Sequence, residues 1–313
     1  MQVSTETLFS KCYGNYAIAA INVWSMEQIH ALFRAAEKAQ APFIVQMTPV
    51  ALDYGHAMML LSMISAAAEI YPDTIYSIHL DHGSRKAALD AISSGKYSSV
   101  MIDASHETYE KNVQITSEIV ERAHANNLEV EAELGVLSGV EDGITIKAEH
   151  KKYTQPEEVE DFISKTGCDS LAVAVGTSHG AYKFSGDQGL QFDILEEIQN
   201  RLPGFPLVLH GGSEVSRNEI KRINSSGGNL GIEARGVSSD DIKKAINYGI
   251  CKINIATDAR IIWTRVHREF FMDYPEQFDP LIPGNTYIKD LEEFYIDKFD
   301  LLEATSRSKD LIS

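Results

Sequence analysis

The sequence predicts an α/β protein built on a (β/α)8 TIM barrel, and three observations carry that expectation. Eight short apolar, β-branched runs recur at 17–21, 43–47, 75–80, 98–102, 128–133, 170–175, 206–209 and 251–255. Helical patterns separate most of them. The C-terminal ends of nearly all eight runs are polar: Asn22, Thr48, Asp81-His82, Asp103, Glu133, His179, His210 and Asn254. Eight strands alternating with helices over roughly 250 residues read as a closed barrel, and barrel enzymes build their sites at that end of the strands. A doubly wound sheet is the main rival, but it would gather such residues at one switch point.

The helices follow from spacing. Met26, Ile29, Leu32, Phe33 and Ala36 share one face, with Ser25 and Gln28 as a capping-box signal. Ile115, Ile119, Val120 and Ala123 mark a second helix. Thr154, Pro156 and Glu157 start another, with Val159, Phe162 and Ile163 inward and Gly167 past its end. Ser239 is placed to cap a helix carrying Ile242, Ala245 and Ile246, stopped at Gly249. Two segments exceed a simple connection. Segment 135–153 has glycine at both ends of a carboxylate-bearing stretch, the pattern of a lid. Segment 224–237 is rich in Ser and Gly. The division expected is a catalytic barrel over 1–273 and a helical extension over 274–313, with a helix at 287–302.

Composition limits what such a barrel does. With 313 residues, 44% of them hydrophobic, the chain can bury a large core, and its apolar runs break well before membrane-spanning length. The N-terminus lacks a basic start and an apolar signal core. Three widely spaced cysteines, Cys12, Cys168 and Cys251, suit reduced thiols in a cytoplasm better than a disulfide framework. A net charge of −17 disfavours nucleic acid as a partner. It sits awkwardly with a phosphorylated ligand too, although backbone N–H groups and one lysine set the field close by.

The chemistry starts from His82, His179 and His210. Each ends a buried run and each is followed by glycine: Gly83, Gly180 and Gly211. Three neutral imidazoles at one rim, with an open fourth position, make a catalytic zinc site. His30, His56, His106, His124, His150 and His267 fall on helices or loops and read as ordinary; His79 reads as a support to the site. Position leaves Asp81 two roles, as a proton-transfer group beside the metal or as an orienting carboxylate. Glu141 either reaches the site when its loop closes or is simply solvated. Asp103 and Glu133 either hold the other ring N–H groups of the histidines or form an alternative metal position. Gly180, Lys183, Gly211, Gly212, Ser213 and Thr257 are the phosphate candidates, because barrels often bind phosphate after strands seven and eight.

Together these residues resemble the zinc-dependent class II aldolases that act on fructose or tagatose 1,6-bisphosphate. The likeness spans about residues 16–258 and rests on Leu80-Asp81-His82-Gly83, Glu131-Ala132-Glu133-Leu134-Gly135, Glu141-Asp142-Gly143, Gly176-Thr177-Ser178-His179-Gly180-Ala181-Tyr182-Lys183, His210-Gly211-Gly212-Ser213 and Lys252-Ile253-Asn254. It implies zinc on His82, His179 and His210, and a monovalent cation (Na+ or K+) held by backbone carbonyls. It implies proton transfer by Asp81 at the C4 oxygen and by Glu141 at C3 of dihydroxyacetone phosphate. Asn254 would contact the enediolate, Gly180, Lys183, Gly211, Ser213 and Thr257 the C1 phosphate, and Asp103 and Glu133 a secondary metal position. Asn22 and Thr48 join the expected substrate contacts.

The chain departs from the fructose pattern at Ala256, where those members typically carry Asp and the tagatose branch carries Ala. Segment 224–237, by contrast, looks more like the fructose branch. Asp279-Pro280-Leu281 also replaces a frequent Asp-Pro-Arg, which leaves Arg85 or Arg260 to meet a C6 phosphate, or an aldehyde half that carries none. A zinc hydrolase on the same barrel would place His-x-His at the end of the first strand, where this chain has Ala20-Ile21-Asn22. The expected partners are a phosphorylated sugar and further copies of the chain, as a homodimer or homotetramer, and not nucleic acid or a membrane.

Overall fold

Each of the eight apolar runs forms a strand, and every strand pairs in parallel with the next until the last closes on the first. In this computed structural model residues 1–136, 138–141, 144–146, 152–179, 189–231 and 236–311 are described; for 138–141, 144–146 and 178–179 the description is of the backbone. The chain runs α1 (Thr5–Phe9), β1 (Ile18–Asn22), α2 (Met26–Ala39), β2 (Phe43–Met47), α3 (Pro49–Gly55), α4 (Ala57–Ile70), β3 (Tyr76–Gly83), α5 (Arg85–Ser94), β4 (Ser99–Ile102), α6 (Tyr109–His124) and β5 (Glu129–Leu134). It continues through β6 (Ser138–Glu141), β7 (Ile144–Ile146), α7 (Pro156–Thr166), β8 (Ser170–Val173), β9 (Ser178–His179), α8 (Phe192–Arg201), β10 (Leu207–Leu209), α9 (Arg217–Ser225), α10 (Ser239–Ile246), β11 (Ile250–Ile255), α11 (Thr257–Asp273) and α12 (Leu281–Leu301). The closed barrel is β1-β2-β3-β4-β5-β8-β10-β11, the expected (β/α)8 architecture.

Barrel strands are covered by helices outside and packed side chains inside, so both faces are buried. The register sets Glu131 beside Met101, Ala172 beside Val208, and Val208 beside Lys252. Met101, Ala172 and Val208 form a small apolar cluster of their own, apart from the main core between strands and helices. Next to it the interior turns polar, with His79, Asp81, Glu131, Lys252 and Asn254 all buried.

Several helix ends differ from the sequence reading. Ser25 makes no side-chain cap bond; Gln28 instead accepts the Trp24 N–H at 2.8 Å and donates to the Tyr287 hydroxyl at 3.1 Å. Ser238, not Ser239, caps α10, because the Ser239 hydroxyl is drawn to Glu214. That helix stops at Ile246, three residues short of Gly249. Thr154 caps nothing: its hydroxyl bonds the Leu134 carbonyl and accepts the Ala174 N–H. The tail helix begins at Leu281, six residues before the 287–302 estimate. Pro283 is tolerated there because first-turn N–H groups need no partner within the helix. This helix packs along α2, where Glu292 pairs with Arg34 and Lys38. Segment 135–153 carries an antiparallel hairpin, β6 with β7, and β6 also pairs in parallel with β9. The 224–237 segment is partly helix, being the end of α9; its residues 232–235 lie outside the described set.

The end of β3 positions the site. Strand alternation would point Asp81 and His82 to opposite faces. A register shift against β4 between Leu80 and Gly83, with His82 in the left-handed region at φ 46°, turns both toward the same rim. Gly83 is required by this close approach, since a Cβ there would stand 2.5 Å from the Met101 carbonyl oxygen. Gly83→Ala is expected to cost about 1–3 kcal/mol of stability in denaturant unfolding of the metal-free protein. Gly231→Ala, whose Cβ would meet nothing within 4 Å, is the control and should stay within about 0.5 kcal/mol.

Candidate active site and metal centre

Two imidazoles face one another at the C-terminal rim. His82, from the bulged end of β3, brings its Nε2 within 3.0 Å of Nδ1 of His210, the residue that follows β10. The rings stand edge-on, 4.6 Å between centroids. Each ring's other nitrogen meets a carboxylate: His82 Nδ1 lies 3.0 Å from Asp103 Oδ2, and His210 Nε2 lies 2.8 Å from Glu131 Oε1. An ionised carboxylate can only accept, so these outer nitrogens carry the protons. With both rings neutral, the two inner nitrogens would offer their lone pairs to a cation between them.

The charges of the two carboxylates are secured locally. Burial raises the Asp103 carboxyl, but hydrogen bonds from His82 and Ser105 outweigh it and hold the group below the usual carboxylate range. Glu131, 2% exposed, is opposed by burial too. The Lys252 ammonium at 2.7 Å and the bond from His210 carry it well below the ordinary value. His79 sits beside this pair, its Nδ1 2.7 Å from Ser99 Oγ, and burial above all drives its pKa down to about 3, so the ring is neutral.

Asp81 is fully buried and held by amides. Its Oδ2 accepts from Asn22 Nδ2 at 2.7 Å and from Gln46 Nε2 at 3.2 Å, and its Oδ1 accepts from Asn254 Nδ2 at 3.1 Å. Gln46 also donates to Asn22 Oδ1 at 2.8 Å, which fixes that amide's direction. The Asn254 amide is 3.2 Å from His210 Nε2 as well, and its Oδ1 has no partner among the described residues. A buried carboxylate fixed by three amides suits proton exchange at one defined position.

The donor set fits a divalent ion. Ligand atoms of Asp81, His82 and His210 lie within 4.8 Å of one another, and so do those of His82, Asp103 and Glu133. Neutral imidazoles oriented by carboxylates are ligands suited to zinc, and nitrogens sharing one tetrahedral ion stand roughly 3.3 Å apart, close to the separation here. Glu133 does not meet the His210 ring; Glu131 does, two residues earlier on the same strand. The His179 side chain, the Glu141 side chain, Gly180 and Lys183 lie outside the described residues.

The loop after β10 is clamped. Ser213 Oγ accepts the Ala256 N–H at 3.3 Å and the Thr257 N–H at 3.1 Å, and Asp258 accepts the N–H groups of Glu214 and Val215. A Cβ on Gly212 would meet Ile253 at 2.4 Å, so this close approach requires glycine. Gly211 takes a left-handed conformation at φ 66°. Gly211–Ser213 thereby sit beside the N-terminus of α11, a favourable place for an anion. The Thr48 hydroxyl accepts the Ala51 N–H at 3.3 Å, capping α3. Arg85 pairs with Glu118 on the exposed side of α6. Arg260 lies 5.1 Å over the Trp24 ring, in a cavity of about 410 Å³ also lined by Ser25, Glu27, Tyr54, Trp263 and Thr264.

Sequence reading missed Glu131, Lys252 and Gln46 as members of the site. The signal was present: Glu129-Val130-Glu131-Ala132-Glu133 places acid at every second position of a buried strand, and Lys252 and Gln46 are polar interruptions in apolar strands.

Known proteins resemble this one over nearly its whole length. A family model described as fructose-bisphosphate aldolase class-II matches residues 3–307. The fructose-bisphosphate aldolase of Treponema pallidum (strain Nichols) is 41% identical over 298 residues, covering 89% of each chain. That of Thermus caldophilus is 40% identical over 288 residues, covering 91% of this chain and 93% of its own. The crystal structure of the YdjI aldolase from Escherichia coli K12 superposes with a TM-score of 0.77 at 26% identity, covering 98% of this chain and 100% of that one. On sequence and fold together, this chain belongs to the class II fructose-bisphosphate aldolase family, whose members are carbon–carbon lyases.

Proposed function

We propose that the protein is a zinc-dependent aldolase that reversibly cleaves fructose or tagatose 1,6-bisphosphate to dihydroxyacetone phosphate and glyceraldehyde 3-phosphate. The observation that carries this reading is the pair of imidazole nitrogens, 3.0 Å apart, that face each other beside the amide-held carboxylate of Asp81. His179 completes the proposed ligand set, with Asp103 and Glu133 as a secondary position. What a bound zinc ion supplies is Lewis acidity, a sink for the negative charge left when the C3–C4 bond breaks.

The chain's own residues divide the remaining work. Asp81 takes the proton of the C4 hydroxyl; the O–H electrons become the new carbonyl, the C3–C4 bond breaks, and its electrons pass into the C2–C3 enediolate. Glu141 then delivers a proton to C3, giving dihydroxyacetone phosphate. Asn254, whose Oδ1 is unpartnered among the described residues, is suited to accept from an enediolate hydroxyl. Asn22 and Thr48 line the substrate's path. Gly180, Lys183, Gly211, Gly212, Ser213 and Thr257 hold the C1 phosphate, which fixes the reacting carbons relative to Asp81. A monovalent cation held by backbone carbonyls beside that phosphate belongs to the same proposal.

Ala256, at the position where the tagatose branch carries Ala, keeps tagatose 1,6-bisphosphate open as the substrate. Arg260 in its aromatic cavity supports an anionic group on the aldehyde half. Residues 1–273 form the catalytic unit in this reading, and 274–313 brace it. Exposed large apolar side chains, among them Met58, Trp263, Phe278 and Leu281, support a homodimer or homotetramer. The three cysteines are buried and free, in keeping with a reducing cytoplasm. Among the described residues no single helix is long and apolar enough to cross a membrane.

Metal analysis should find about one equivalent of zinc per chain. A chelator should abolish cleavage, and borohydride added with substrate should leave it intact; inactivation by borohydride would signal a lysine imine instead. Asp81→Ala should slow cleavage by about 10²- to 10⁴-fold while zinc stays bound, and zinc loss would make Asp81 a ligand. Glu141→Ala should still bind dihydroxyacetone phosphate but lose exchange of its C3 proton with solvent, read by NMR in heavy water. Initial rates on fructose and tagatose 1,6-bisphosphates, and in synthesis with unphosphorylated aldehydes, will assign the acceptor half.

A further inference from the structure

A lysine is buried inside the barrel beneath the facing imidazoles. Lys252 lies on β11 and is 1% exposed. Its ammonium reaches Glu131 Oε2 at 2.7 Å, while the other oxygen of that carboxylate takes the His210 ring at 2.8 Å. His79 Nε2 stands 3.5 Å from the same Oε2. One carboxylate is therefore shared between the Lys252 ammonium and the His210 imidazole.

We infer that Lys252 is a positioning residue for the metal centre, acting through Glu131 to set the orientation and proton placement of His210. A carboxylate can rotate about its terminal bond and offer either oxygen. With Oε2 fixed on Lys252, Oε1 has one direction left, and it points at His210 Nε2. That bond keeps Nδ1 bare and turned toward His82. Without Lys252 the carboxylate would be a buried anion lacking its counter-charge, drawn toward any other donor, His79 or an entering water. The ring of His210 would then lose its anchor. Carboxylates that hold a ligand histidine typically affect metal affinity 10- to 100-fold, and Lys252 extends that chain by one link. The alternative is that the Lys252–Glu131 pair merely fills the barrel interior.

This inference rests on His210 being a metal ligand. The experiment measures zinc affinity of the metal-stripped protein by competition with a chromophoric chelator, and the visible absorption of the cobalt(II)-substituted protein. Lys252→Met should weaken zinc binding about 10- to 100-fold and alter the cobalt bands. Glu131→Gln should do the same. The double variant should bind zinc within about threefold of Glu131→Gln alone, because residues acting through one another are not additive. Should the methionine variant not fold, Lys252→Leu, equally uncharged and unable to donate, is read identically. Wild-type affinity and bands in either Lys252 variant, or a full further loss in the double variant, would overturn the role of Lys252. Failure of the wild type to bind zinc would instead remove His210 as a ligand and this inference with it.

Discussion

The site depends on two imidazoles being held facing one another by the carboxylates behind them. The nearest nitrogens of the two rings stand 3.0 Å apart, and each ring is anchored from behind by a carboxylate, Asp103 for His82 and Glu131 for His210. That orientation is what a cation proposed between them would need. The barrel is well suited to impose this, since its strands converge with fixed register and its interior excludes the water that would otherwise separate the rings.

Neighbouring features serve that constraint. The bulge at the end of β3 aims His82 and Asp81 at the same space, against the ordinary alternation of a strand. Asn22, Gln46 and Asn254 come from three different strands and converge on Asp81, so its position is set by the closure of the barrel rather than by a loop. The loop after β10 is pinned by Asp258 and Ser213 to the start of α11. It is pinned again by Glu214 to Lys298 of the tail helix, so the far end of the chain bears on a segment next to the chemistry.

Much of this was legible in the sequence because it depends on short-range pattern. All eight barrel strands fell within a few residues of their estimated positions, since each is an apolar run ended by a polar residue and a turn signal. Helix starts were less legible. Ser25 and Ser239 have the right chemistry for caps, yet the Gln28 side chain bonds the Trp24 N–H and the distant Tyr287 hydroxyl, and Glu214 takes the Ser239 hydroxyl, contacts that spacing does not reveal. Glu131 and Lys252 escaped notice because neither ends a strand. Their meaning appears only when β5 and β11, 121 residues apart, are brought across the barrel from one another.

The small sheet outside the barrel has a mechanical corollary. β6 carries Glu141, and β9 ends at His179; the two backbones are paired, Gly139 opposite His179. The proposed C3 proton carrier and the proposed third ligand are thus tied through main-chain pairing, so that a substitution loosening one of these strands would disturb the other.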